Sequence, residues 1–440
     1  MPIAPGNKVD ASPTKDFFIS MLIKDIGLTR AIIDLVDNCV DGARMLRPKG
    51  DYTGLRIQVE ANKSYFQISD NCGGIPINVA RDYAFRFGRS ADMTANPHSI
   101  GQFGVGMKRA LFKLGNKFRV ESITQKSRFV IEEEVEKWKR KKEWEFAFRE
   151  LETSRKPVNI SRTGTTIRVS QLHPSISDSL SLDTFLTRLA TELAEAHLQT
   201  TARGLKLELN NVSLKHQNIV LLQSKIMKPA HKQLSFNGNG KIDVDLYAGI
   251  SDSDPSAAGW YIFCNDRLVL SADQSSVTGW GETREGTLPK YHNQFARFRG
   301  YAFFDSKNAA LLPWNTTKTG VDSDSPRYRA TRLEMINLSR PVIDFLNRLD
   351  AEKEIEVTDE KPLESTVKAS KPAELVNIAA RTTFLAPKIV PEKIKPKNAR
   401  IQYDRPLERV RQVQRALKVK TLRDVGEKTF EYFYDRECES

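Results

Sequence analysis

Between residues 28 and 46 apolar positions recur every three to four residues, with Ile32, Val36 and Val40 on one side, which predicts a single amphipathic helix. Alternating apolar and polar residues then predict strands at 55–59 and 65–69, and strand-like runs follow Gly115 at 118–123 and 128–131. A second series of strands, at 205–209, 242–247, 259–264 and 301–304, is separated by turns and closes on a helix from Arg327 onward. The pattern therefore predicts an α+β chain, with one mixed domain over residues 15–204 and a second over 205–350. Residues 351–400 crowd Lys, Glu and Pro with few aromatics and read as a linker or weakly ordered arm. Two short helices are expected at 407–417 and 422–433, within a small helical region at 401–440. In the first of them Leu407, Val410, Gln414 and Leu417 share a face, which suits docking on a partner or an ordinary helical tail equally well.

Composition narrows the class. The chain has 440 residues, enough for two or three domains each with its own core. No apolar run reaches the roughly eighteen residues of a membrane helix, and the first seventeen residues lack the order of a secretory signal. The four cysteines, Cys39, Cys72, Cys264 and Cys438, are scattered without metal-ligand spacing, so reduced thiols in a cytoplasm-like compartment are expected. A net charge of +13 invites a polyanion such as DNA or RNA, or else surrounds a nucleotide and solvated surface. The stretch 132–145 sets Lys137, Lys139, Arg140, Lys141 and Lys142 beside Trp138 and Trp144. Such interleaving can bind nucleic acid, although a solvated hairpin or helix face is the commoner explanation.

Four motifs carry candidate chemistry. The first, Asp34 to Asp41 (DLVDNCVD), spaces Asp34, Asn38 and Asp41 on one face of the predicted helix. An Asn oxygen can ligate Mg²⁺, and a carboxylate one turn earlier can orient and deprotonate a water. An acidic surface stripe explains the spacing as well. The second, Ile68 to Pro76 (ISDNCGGIP), puts Asp70 at a strand end before Gly73 and Gly74. That carboxylate can accept from an exocyclic amine while the glycines let backbone approach a flat ring; a simple Asx turn fits too. In the third, Gly101, Gly104, Val105, Gly106, Met107 and Lys108 lead into a helix at 107–114. Glycines at a helix N-terminus expose amides where the dipole favours phosphate, and Lys108 adds charge. Upstream, Phe87 to Ser90 and the polar run to Ser99 read as a mobile lid. The fourth, Gly164-Thr165, opens a strand at 164–167 whose hydroxyl can contact a base directly or through water.

In this order and spacing the four motifs resemble the GHKL, or Bergerat-fold, ATPases: gyrase, heat-shock chaperones, histidine kinases and MutL. The resemblance implies an α/β sandwich with a mixed sheet, an S5-like transducer second domain and a small helical tail. It implies ATP and Mg²⁺ as ligands and slow ATPase activity. Residue by residue, Asn38 matches the Mg²⁺ ligand, Asp70 with Gly74 and Thr165 the adenine site, and Gly101 to Lys108 the phosphate loop. Lys318, in Trp314 to Gly320, resembles the lysine that senses the γ-phosphate. Two positions depart from the family: Cys72 stands where the turn has its first glycine, and Asp34 where the general base is usually Glu. Asp is one methylene shorter, so either the helix sits closer to the phosphate or hydrolysis is slow.

Within the superfamily the chain looks most like the MORC branch, through FGRS at 87–90, IGQFGVGMK at 100–108, and the strand and turn from Gly259 to Arg267. The zinc module of many eukaryotic members has no cysteine cluster here to form it, so a compact prokaryotic, cytoplasmic relative is expected rather than a nuclear one. The branch implies an ATP-dependent homodimer that clamps DNA in genome or mobile-element defence, with residues 1–14 as a swapped strap or a plain tail. Lys290, Arg297 and Arg299 near Tyr291, Phe295 and Phe298 favour DNA, although a strand with its core side explains these aromatics at least as well. A chaperone-like or signalling switch acting on a protein is the rival. A histidine kinase is disfavoured, since no phospho-acceptor helix precedes the ATP domain.

Overall fold

The computed structural model describes residues 13–88, 97–101, 104–153, 156–215, 219–238, 240–281, 288–315, 317–352, 361–380, 383–388 and 401–438. Residues 1–12 of the expected strap or tail, most of the lid (89–96) and Gln102–Phe103 lie outside them.

The first sheet is built from β1 (Arg56–Ala61), β2 (Tyr65–Asp70), β3 (Gly115–Ile123), β4 (Arg128–Glu134), β5 (Phe148–Glu152), β6 (Gly164–Leu172), β7 (Lys206–Leu209) and β8 (Val212–Ser213). Its order is β5-β4-β3-β6-β2-β1-β7-β8. All pairings are antiparallel except β1 with β7. Period-two burial puts Ile57, Val59, Phe66, Ile68, Val120, Ile167 and Val169 on the covered face. Against that face lie the helices Leu28–Leu46 and Gly106–Leu114, which pack on each other. Ile32, Val36 and Val40 are fully buried, as the periodicity predicts. The second sheet, order β10-β11-β14-β12-β13, comprises β10 (Ala230–Phe236), β11 (Ile242–Ile250), β12 (Gly259–Cys264), β13 (Arg267–Asp273) and β14 (Phe298–Asp305). The helix Pro326–Ala351 covers it through β11 and β14. The molecule is a mixed α+β protein, as the sequence predicts.

Two expectations change. The strand at 205–209, read as opening the second domain, belongs to the first sheet, where Lys206–Leu209 extends β1 in parallel. The linker reading at 351–400 fails over residues 361–380, because the helix Pro362–Ala369 leads into β15 (Lys371–Glu374), which pairs antiparallel with β9 (Val220–Gln223). In the basic-aromatic stretch Lys137, Arg140, Lys141, Lys142 and Trp144 are exposed, in line with a solvated face, but Trp138 is fully buried and stacks on Phe112 and Phe146. Its carbonyls, with those of Lys141 and Glu143, accept the ammonium of Lys15. Phe295 and Phe298 are buried too, and Arg299 spends its guanidinium on the carbonyls of Ala296, Phe298 and Asp252.

Residues 1–390 form one compact unit and 391–440 another. The second contains helices Leu407–Leu417 and Leu422–Glu437, the latter started by a Thr421–Asp424 capping box. No helix among the described residues is long and apolar enough to cross a membrane.

Candidate active site

The helix Leu28–Leu46 has no acidic stripe facing water. Asp34 and Asp37 are buried and Asp41 half-buried, and each is held differently. Asp41 accepts the amides of Ile100 (2.7 Å) and Gly101 (2.8 Å), one on each oxygen, and so ties the end of the lid segment to the helix. Asp37, absent from the sequence-based site, is fully buried. One of its oxygens takes Arg267 Nε at 3.0 Å and the other Lys318 Nζ at 2.7 Å. Burial pushes this carboxyl upward, but Lys318 and Arg267 outweigh it and hold the group well below the usual carboxylate range. His197 Nε2 stands 3.5 Å from it, and burial lowers that imidazole to about 3, so the ring is neutral. Asp34 Oδ2 accepts from Arg109 Nη2 at 2.8 Å. Its Oδ1 faces Lys318 at 3.5 Å and Arg30 at 3.7 Å, yet has no hydrogen-bond partner among the described residues. Of these three carboxylates, only Asp34 keeps a free acceptor, and a buried orphan acceptor is where an ordered water belongs. Asn38, in contrast, is exposed.

The phosphate loop stands directly over this face. A Cβ at Gly106 would lie 3.5 Å from Asp34, and one at Gly101 would lie 3.7 Å from Asn38 Oδ1. The helix and the loop are thus in van der Waals contact at Asp34. Val105 precedes the helix Gly106–Leu114 and no side chain among the described residues caps it, which leaves first-turn amides open to a ligand. Lys108, expected to add charge to the phosphate loop, turns inward. Its ammonium is buried under the loop, on the carbonyls of Ala84 (2.9 Å) and Gly104, and burial lowers it to about 7.

At the other end, β2 delivers Asp70, which accepts the amide of Cys72 at 2.7 Å. Burial raises its carboxyl to about 6 against the hydrogen bonds it receives from Cys72, the Cys39 thiol and the Thr165 amide. Gly74, at φ +74°, and Gly164 are required by close approach: a Cβ would fall 2.2 Å from Ile123 O and 1.8 Å from Asp70 O respectively. The departure at Cys72 has a local cause. The residue lacks a positive φ, unlike Gly73 and Gly74, and it packs on Gly42, where a Cβ would meet its carbonyl at 3.0 Å. Thr165 Oγ1 meets Ser122 Oγ at 3.2 Å, and that serine accepts the Ile75 amide, so the strand and the turn share one hydroxyl pair.

Lys318 arrives from the second domain at the end of a tight turn. It adopts φ +52°, its amide bonds Asn315 O, and the bridge Trp314–Val321 closes the loop. The structure thus brings Asp34 and Lys318 together beside Asn38 and the loop glycines. It also adds Asp37, Arg109, Arg30, Arg267 and His197. Of these, Asp37 lies within the first motif and Arg267 at the end of the MORC-like strand and turn, and neither signal named its partner. A cleft of about 1080 Å³ between Arg44, Arg203, Tyr247 and Asp305 lies elsewhere and is lined by none of the motif residues.

The donor set suits a magnesium nucleotide: an exposed amide oxygen, uncapped helix amides and a free carboxylate oxygen. Among the described residues no group of three His, Cys, Asp or Glu forms a self-sufficient metal cage, in keeping with an ion held largely by phosphate and water. Residues 26–165 match the family of histidine kinase-, DNA gyrase B- and HSP90-like ATPases. That stretch contains the motif helix, the Asp70 turn, the phosphate loop and Gly164-Thr165, and the match supports GHKL-type ATP binding and ATPase activity for this domain. No curated protein matches the chain.

Proposed function

Starting from a histidine kinase-, gyrase B- and HSP90-like ATPase domain at residues 26–165, we propose that the chain is an ATP-hydrolysing conformational switch whose second domain reads the γ-phosphate. The observation that carries this reading is Lys318, which crosses from the second domain to lie 2.7 Å from Asp37 and 3.5 Å from Asp34. In this reading Asp70 accepts the adenine amine, the first-turn amides of the helix Gly106–Leu114 hold phosphate oxygens, and Asn38 holds Mg²⁺. The ion neutralises phosphate charge. Asp34 Oδ1 orients the attacking water and takes its proton. Loss of the γ-phosphate removes the anion that favours one arrangement of the two domains.

The finer reading is a MORC-like, ATP-dependent homodimer that clamps DNA in a prokaryotic cytoplasm, in genome or mobile-element defence. Its support is the charge of +13 and the motif likeness, not Trp138, Phe295 and Phe298, which are core. Phosphate release from Mg-ATP tests the switch, and absence of turnover refutes the ATPase. Salt-dependent retention of DNA, with and without a non-hydrolysable ATP analogue, separates the clamp from a chaperone-like or signalling switch. Retention that ignores nucleotide argues against the clamp.

A further inference from the structure

The space between the motif helix and the second domain holds an unbalanced set of charges. Asp34 and Asp37 supply two negative charges, while Arg30, Arg109, Arg267 and Lys318 supply four positive ones. All six side chains are at most 15 % exposed. Arg30 Nε and Nη2 and Arg109 Nε are buried without hydrogen-bond partners among the described residues. A buried excess of cations with orphan donors is costly until an anion arrives, and the phosphate loop brings one to this face.

Within the set, Lys318 and Arg267 are not equivalent. Arg267 is fixed at the start of β13 by a second bond to Leu268 O. Lys318 sits on a turn at positive φ, and its 3.5 Å distance to Asp34 leaves it a second direction to follow. Asp37 can release Lys318 and still keep Arg267 at 3.0 Å, so the buried carboxylate is never left alone.

We propose that Asp37 is the resting-state counter-ion of Lys318, an autoinhibitory contact that withholds the lysine until a γ-phosphate competes for it. This rests on the ATP-switch reading above and adds a positioning residue to it. ADP offers no anion at that place, so Lys318 stays on Asp37. ATP takes the lysine, and Arg267 alone then neutralises Asp37. The contact converts the presence of one phosphoryl group into a choice between two partners of one side chain, and so into selectivity for ATP over ADP.

Two substitutions act in opposite directions. Asp37→Asn keeps an acceptor for Arg267 but turns an amide toward Lys318, which frees the lysine. Arg267→Gln leaves Asp37 dependent on Lys318 and tightens the hold. The full chain is titrated calorimetrically with Mg²⁺ plus a non-hydrolysable ATP analogue, and separately with Mg-ADP. The analogue-to-ADP affinity ratio should rise about tenfold or more in Asp37→Asn, in the range of ordinary coupling energies, and fall in Arg267→Gln. A merely structural role lowers both affinities together and leaves the ratio unchanged. An unchanged or lowered ratio in Asp37→Asn overturns the proposal. If that variant does not fold, Arg267→Gln decides: a lowered ratio supports the contact, and an unchanged or raised ratio overturns it. A wild-type chain that binds neither nucleotide refutes the ATP reading instead.

Discussion

Asp34→Asn isolates the chemical step. In the wild type Oδ2 is occupied by Arg109 at 2.8 Å and Oδ1 has no hydrogen-bond partner among the described residues, so the second oxygen is available to a water. Asn has the same shape. Its carbonyl still accepts from Arg109, but its NH₂ then occupies the free position and offers a donor where the water needs an acceptor. A positioned general base contributes about 10²–10⁴-fold, or roughly 2.7–5.4 kcal/mol at 1.36 kcal/mol per tenfold. Phosphate release should fall by that factor. Stability should fall by less than the roughly 3–5 kcal/mol of a broken buried pair, because Arg109 keeps an acceptor. Nucleotide affinity should stay within about threefold, a free-energy change under 1 kcal/mol. Steady-state phosphate release and calorimetric titration on the same preparation measure both quantities. Turnover within a few-fold of wild type moves the base elsewhere. Asp37 and Asp41 are poor substitutes, since all four of their oxygens are already bonded.

The other substitutions probe the two ends of the site. Asn38→Ala should abolish Mg²⁺-dependent binding or hydrolysis while shifting the melting temperature by no more than about 2 °C, because the side chain is exposed; unchanged turnover sinks the Mg²⁺ assignment. Asp70→Asn should weaken nucleotide binding by about 1–3 kcal/mol, measured by calorimetry, and wild-type affinity in that variant means the adenine pocket is misplaced. The same residue gives a pH dependence. Its carboxyl is raised to about 6 by burial, and only the ionised form accepts two-sidedly from an amine and the turn amides. ATP affinity of the wild type should therefore decline as pH falls through about 6 and level off above 7, while Asp70→Asn titrates flat over that window.

The features legible in the sequence are the local ones. The motif helix, the strands flanking Asp70 and the glycines of the loop depend on periodicity and on backbone conformations that few other residues adopt, so they can be read within a dozen positions. The central ion pairs cannot be read this way. Asp37 looks like one more helix carboxylate until the fold brings Arg267 and Lys318 to it from 230 and 281 residues away. The direction of the Lys108 ammonium is not legible either, because it is set by tertiary carbonyls such as Ala84 O. The stretch around Trp138 shows the reverse failure. Its basic residues give it a surface composition, yet the indole is fully buried, since alternating charges line one side of a segment whose other side closes the core. β7 was misassigned because a four-residue strand carries no mark of which sheet it joins.

The central claim is that Lys318 links the γ-phosphate to the arrangement of the two domains. Energy transfer between a donor placed on the first sheet and an acceptor on the second, in wild type and Lys318→Met, tests it most directly. The account predicts that Mg²⁺ with a non-hydrolysable ATP analogue changes the transfer in wild type, that Mg-ADP does not, and that Lys318→Met binds the analogue without the change. An equal response to ADP, or a Lys318→Met variant that responds like wild type, contradicts it.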